Sequence, residues 1–173
     1  VNQDPETRKY SLGPVLFRLG NIYKSEKNLL EIAEPVMRQL LEISGESVGL
    51  CIREGDNAVL AHQIVSAQPL RFEGKVGTRL TPNRGAQGKL MTAYEPEGRI
   101  REVLASTTFE KRTPYTLTEP DELLEEYEKI RSRGYSLSYE ESFPGIRAIA
   151  APVRNRHGKV WASIAIAGPT VRL

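Results

Sequence analysis

GYSLSYEESFPGIRAIAAPVRNRHGKVWASIAIAGP, residues 134–169, decides the fold. It reads as three short strands, 135–140, 146–156 and 159–168, with Arg156-His157-Gly158 as the last turn. Links this short cannot carry a parallel crossover, which takes a dozen or more residues, so the strands are antiparallel. The strand faces are unusually small: Ala148, Ala150, Ala151, Ala162, Ala165, Ala167 and Gly168 stand where Val, Leu or Phe is more usual. Such a face leaves room above the sheet, for a packed helix or for a ligand.

Upstream of this stretch, 121–133 (DELLEEYEKIRSR) is a helix with Asp121 and Glu122 in its first turn, Arg131 and Arg133 in its last, and Gly134 to stop it. Residues 106–120 form a long polar loop with Pro114 and Pro120, preceded by short helices over about 85–95 and 97–105 that Pro96 separates. The loop 76–89 (VGTRLTPNRGAQGK) leads into the first of these. Strands 47–53 and 58–65 flank Glu54-Gly55-Asp56-Asn57, a hairpin signal, and PLRFEGK (69–75) reads as a third strand. Apolar residues at helical spacing mark 27–45, where Pro35 predicts a kink or a restart and Ser44-Gly45 an end, and also 9–24. Residues 1–8 are polar and read as a loose end. The whole is an α+β layer fold: a largely antiparallel sheet with helices packed on it.

The 173 residues suffice for one domain with a real core. Apolar content of 39% and charged content of 27% fit a folded globular chain rather than a disordered one. With 24 basic against 22 acidic residues, the net charge of +2 is too balanced for a nucleic-acid-binding segment. The single cysteine, Cys51, rules out an internal disulfide and a multi-cysteine metal site and fits a cytoplasmic setting. No apolar run is long enough to span a membrane, so no membrane partner is expected.

The residues that could carry chemistry are few. Arg84-Gly85-Ala86-Gln87-Gly88-Lys89 opens a helix after a loop, where unpaired amides favour an anion. The phosphate-loop pattern GxxxxGK[ST] is not met, because the glycine spacing differs and Leu90 follows Lys89. A small carboxylate suits this helix start, and a simple loop-to-helix cap suits it equally well. Cys51 sits in the apolar run GLCI and reads as a buried structural thiol. Nothing places His62 or His157 beside it as a base. Glu140 and Glu141 are adjacent on a strand, so they point to opposite faces and cannot serve one site as an acid/base pair; Glu141 orders the turn ESFPG. No hydrolase triad, metal-ligand pattern or dinucleotide fingerprint stands out, so no enzyme, metal or cofactor is expected.

The ordered set of motifs resembles the effector-binding domain of IclR-type bacterial transcriptional regulators. YSLGPVLFRLG (10–20) is similar to the family's linker helix, and LLEIAEPVMRQLLEISGESVGL (29–50) to its first long helix and strand entry. VGTRLTPNRGAQGKLMTAY (76–94) is similar to its loop and helix, and 134–169 to its closing signature, with Glu141, Gly145 and Ala151-Pro152 in place. The resemblance covers residues 9–169. It implies a GAF-like domain, a curved antiparallel sheet with a small-molecule pocket, spanning 27–173 after a tail and linker helix over 1–26. It further implies a homodimer or homotetramer that senses a metabolite, an organic acid above all, and touches DNA only through a winged helix-turn-helix preceding Val1 and absent from this chain.

Carried over position by position, the implied pocket takes Leu80, Asn83, Arg84, Ala86, Gln87 and Gly88 from the loop and helix start, and Phe72 from the segment before them. The closing strands add Ser138, Ile146, Ala148, Ala165 and Ala167. Ser138 stands where an acidic residue is common in the family, and Ala148, Ala165 and Ala167 where Cys or Ser also occurs, which makes this pocket wider and less polar, whereas Thr81-Pro82-Asn83-Arg84 replaces the commoner Pro-Leu-His-Ala and Arg84 adds a charge close to the helix start. The resulting expectation is an effector whose carboxylate is held by the amides of 86–88, assisted by Arg84 or Asn83, with an apolar body, an aromatic ring being one form of it, on the alanine face. Two alternatives stand beside it: a GAF-type thiol reductase using Cys51, and an oligomerisation module without a ligand.

Overall fold

The computed structural model describes residues 2–3, 5–11, 13–15, 29–54 and 57–173. The chain divides into two compact units, Val1–Val36 and Met37–Leu173. In the first, β1 (Asn2–Gln3) pairs antiparallel with β2 (Tyr10–Ser11), so the loose end expected there is partly a small ladder. The helix expected over 9–24 falls for the most part outside the described residues.

Helix α1 (Leu29–Ser44) runs into the second unit, and it ends where Gly45, at φ 70°, donates its amide to the Leu41 carbonyl at 2.7 Å. The restart expected at Pro35 does not occur. Pro35 lies inside one helix, on its exposed side, where the amide it lacks leaves no buried carbonyl stranded.

The second unit is built on a curled six-stranded sheet in the order β5-β4-β3-β8-β7-β6, antiparallel throughout. Its strands are β3 (Ser47–Glu54), β4 (Asn57–Ile64), β5 (Arg79–Leu80), β6 (Ser136–Tyr139), β7 (Ile146–Arg154) and β8 (Val160–Pro169). The β3–β4 and β7–β8 hairpins follow their turn signals, and β3 meets β8 at the centre of the sheet.

The strand expected over 69–75 is absent. That segment is mostly exposed and hangs on β4 by single bonds: the Gly74 amide to the Gln63 side chain at 2.8 Å and the Gly77 amide to the Leu60 carbonyl at 2.8 Å. The ladder resumes only at β5, where Arg79 and Leu80 pair with Val59 and Ala58. Pro69 lacks a ladder donor, and a Cβ on Gly74 would stand 3.0 Å from Leu60, so the segment crosses β4 closely instead of pairing along it.

Three helices complete the unit: α2 (Ala86–Ala93), α3 (Glu97–Ser106) and α4 (Pro120–Arg133). Helix α4 begins with a proline in its first turn, ends at Gly134 in the left-handed conformation, and buries Leu123, Tyr127 and Ile130 at helical spacing. Helix α2 is buried along its whole length and lies between the sheet and α4. Its residues Ala86, Leu90 and Met91 share one apolar core with Ala150 and Ala165 of the sheet and with Ile100, Leu123 and Tyr127.

Strand alternation sorts the small residues into two groups. Ser136, Ala150, Ala165 and Gly49 form one row across four strands on the α2 side, and Ser138, Ala148, Ala167 and Ser47 form the next. Ala151 and Ala162 fall on the other face. Gly168 is small for another reason: a Cβ there would stand 2.5 Å from the buried Glu46 carboxylate, which is paired with Arg172.

Candidate functional site

The loop before α2 turns sharply at Gly85, whose φ of 71° needs a glycine, and the helix then starts with no side-chain cap. Its first amides therefore lack intrahelical acceptors. Glu141, from the turn between β6 and β7, takes one of them: the Gly85 amide donates to its Oε2 at 3.1 Å. The Oε1 of the same carboxylate accepts from Lys89 Nζ at 2.6 Å. Lys89, only 2% exposed, also meets Glu126 of α4 at 3.2 Å, and Arg133 closes the chain of ion pairs on Glu126 at 2.9 Å. Burial pushes the Glu141 carboxyl above its usual range, and the Lys89 ammonium and the Gly85 amide pull it back only in part. Glu140 has a separate task, accepting from the Gly145 amide at 2.8 Å across the turn.

Beside this anchored helix start lies a mostly apolar cavity of about 90 Å³. A single water needs ~10–15 Å³ by this measure, so the cavity has room for a compact organic molecule. Ala148, Ala165 and Ala167 form its floor together with Ser138. The first turn of α2, from Gly85 to Gln87, covers it, and Leu80, Phe72, Ile146, Ser142, Phe143 and Arg147 complete the wall. The Phe72 and Phe143 rings meet with centroids 5.9 Å apart and planes tilted by 49°. They come from separate connections, and Phe143 is 47% exposed, so the pair stands between the cavity and solvent.

The structure thus gathers Phe72, Leu80, Ala86, Gln87, Ser138, Ile146, Ala148, Ala165 and Ala167 around one space. It places Asn83, Arg84 and Gly88 outside it. Asn83 is buried, with its amide on the Leu117 carbonyl at 2.8 Å and its oxygen accepting from Thr81 at 2.8 Å. Arg84 is turned to Glu110 at 3.1 Å, so the assistance expected from these two side chains has no geometric basis. Gly88 serves packing, since a Cβ there would come within 2.2 Å of the Thr81 carbonyl oxygen. Sequence reasoning missed Gly85, Ser142, Phe143 and Arg147 on the wall. The signal for the middle pair is the turn ESFPG itself, whose Ser142 and Phe143 reach the wall. Gln87 is held in place by donating to the carbonyls of Gly49 at 3.1 Å and Ser163 at 3.0 Å.

Cys51 lies away from the cavity, fully buried opposite Leu60 and Ser163. Burial pushes its thiol up to about 12, so it stays protonated at neutral pH. His62 sits opposite Leu50 and His157 in an exposed turn, and neither forms a catalytic pair with it. Among the described residues no cluster of His, Cys, Asp or Glu could hold a metal ion.

The model of the bacterial transcriptional regulator IclR C-terminal family matches residues 22–173. The chain belongs to this family. IclR-family relatives are transcriptional regulators, not enzymes, and their C-terminal domains bind effectors. The transcriptional regulator BhcR of Paracoccus denitrificans is 35% identical over all of this chain, which spans 62% of the length of BhcR. A crystal structure of an IclR regulator from Silicibacter sp. TM1040 superposes with a TM-score of 0.91 at 26% identity, covering 99% of this chain and 67% of that one. The inducer-binding domain of PobR from Acinetobacter, a double mutant in complex with 3-hydroxybenzoic acid, shares the fold with a TM-score of 0.75 at 24% identity, covering 84% of this chain and 85% of that one. The α+β architecture expected from the strand links is the architecture of these IclR domains.

Proposed function

We propose that this domain binds a small carboxylic acid in the cavity under α2 and passes its presence to DNA binding by another part of the full-length regulator. One observation carries the reading: the first turn of α2, with amides left over at Ala86 and Gln87, opens onto a space floored by alanines and by Ser138. A helix start favours an anion, and the alanine floor favours an apolar body. The likeness to PobR supports an aromatic acid as one ligand type that this fold accommodates. No helix among the described residues is long and apolar enough to cross a membrane. A cytoplasmic regulator is the setting that fits.

Assembly as a homodimer or homotetramer is part of the proposal. Ile32, Val36 and Ile43 lie along one side of α1 at helical spacing and are exposed, which favours a partner there. Sedimentation of the chain as a monomer at micromolar concentration would remove this part. The effector must bind one arrangement of the regulator better than another to change its output.

The test of the reading is the melting temperature of the chain against aromatic acids, sugar acids and small oxo acids. A ligand present at a hundred times its Kd stabilises the native state by about 2.7 kcal/mol. A concentration-dependent rise with one class supports the site. Flat melting curves throughout the panel would dismiss it.

A further inference from the structure

The positive side chains around the cavity are turned away from it. Lys89 is enclosed by Glu141 and Glu126. Arg84 points to Glu110. Arg147 borders the cavity, but strand alternation turns its side chain to the far face, where one guanidinium nitrogen donates to the Leu173 carbonyl at 3.2 Å and the group lies 5.1 Å from the centre of the Tyr139 ring; its buried Nε has no hydrogen-bond partner, but it sits on that far face as well. The start of α2 carries only about half a unit of positive charge, and the Glu141 carboxylate on the Gly85 amide already draws on it.

One polar side chain on the floor is uncommitted. Ser138 is 5% exposed and lines the cavity, and its hydroxyl has no hydrogen-bond partner among the described residues. The hydroxyl borders the empty space across from the helix start, where a bound molecule can reach it.

We infer that the cavity takes a compact monocarboxylate whose second polar group is uncharged and reaches Ser138, and that it turns dicarboxylates away. This rests on the proposed acid-binding site. One carboxylate has the remaining amides of α2. A second would face phenylalanine, leucine and alanine side chains, with no cation among the described residues aimed at it, and an unpaired charge in apolar surroundings is costly. A hydroxyl, oxo or nitro group has no such cost and can exchange a hydrogen bond with Ser138.

The test is calorimetric titration of the 173-residue chain with probes matched in shape. In the aromatic series these are benzoate, 3-hydroxybenzoate, 3-nitrobenzoate and isophthalate; in the aliphatic series, monomethyl malonate and malonate. Nitro and carboxylate groups have the same outline, so 3-nitrobenzoate against isophthalate isolates one charge. The monocarboxylate should bind at least about tenfold more tightly than its dicarboxylate partner. Equal or tighter binding of the dicarboxylate overturns the inference and leaves the acid site standing. Absence of binding by every probe overturns both. Ser138→Ala, checked for an unchanged melting curve without ligand, should weaken 3-hydroxybenzoate about three- to tenfold and leave benzoate unchanged. An equal effect on both, or none, removes Ser138 from the mechanism.

Discussion

Two neighbouring rows of small residues on one sheet face meet different fates. The row Ser136–Ala150–Ala165–Gly49 is filled: α2 lies against it, and a Cβ on Gly49 would stand 3.1 Å from Leu60 and 3.6 Å from the Gln87 side chain. The row Ser138–Ala148–Ala167 is left open as the cavity floor, with Ala165 bordering both. Both rows are built of small residues, so small side chains do not by themselves make a pocket. The difference comes from where α2 begins. Its first turn is pinned at the boundary by the Gly85–Glu141–Lys89 bonds, and the body of the helix covers only one row.

That contrast can be broken at several points. The largest effect is expected from Lys89→Met, which leaves the Glu141 carboxylate buried with its main partner gone; urea unfolding should show a loss of about 3–5 kcal/mol. Ala150→Leu, in the filled row, forces extra volume into a packed core and should cost about 1–3 kcal/mol in the same assay. Ala167→Leu, in the open row, has the cavity to expand into. It should change stability by less than about 1 kcal/mol, yet it should abolish the ligand-induced melting shift. If Ala150→Leu and Ala167→Leu destabilised equally, the two rows would not differ as described. Phe143→Ala removes half of the aromatic pair at the mouth, an interaction of about 0.5–1.5 kcal/mol, and stopped-flow measurements should show ligand leaving about two- to tenfold faster. The smallest effect is at Cys51: iodoacetamide at pH 8 should leave it unmodified in the native chain and alkylate it in denaturant. Rapid labelling of the native chain would revive a thiol chemistry for the domain.

The parts of the fold legible in the sequence were those set by local chemistry. The turn between 54 and 57, Gly134 after Arg133 and the short link at 156–158 each dictate a local geometry, and the elements around them form close to where they are read. The segment 69–75 misled because its strand-like composition is overruled by a close crossing at Gly74. The small floor was legible in the alanines, whereas Ser138 was indicated only by the family resemblance. The fate of Arg84 and Asn83 was not, since their partners Glu110 and Leu117 lie in an irregular loop that no periodicity locates. The same holds for Lys89. A lysine amid small and apolar residues announces a buried charge, but the carboxylates that neutralise it lie 37 and 52 residues away.

The pairing of β3 with β8 at the centre of the sheet also bears on the birth of the molecule. The two strands are separated by roughly 110 residues, and at ~5–20 residues per second the ribosome needs on the order of 5–20 s to deliver the second after the first. Through that interval the β3–β4 hairpin waits with the open edge of β3 uncovered, an invitation to other nascent chains. The domain therefore depends on holding that edge apart from its neighbours until β8 has been made, and destabilising changes in β8 should be felt first as lost yield in the cell.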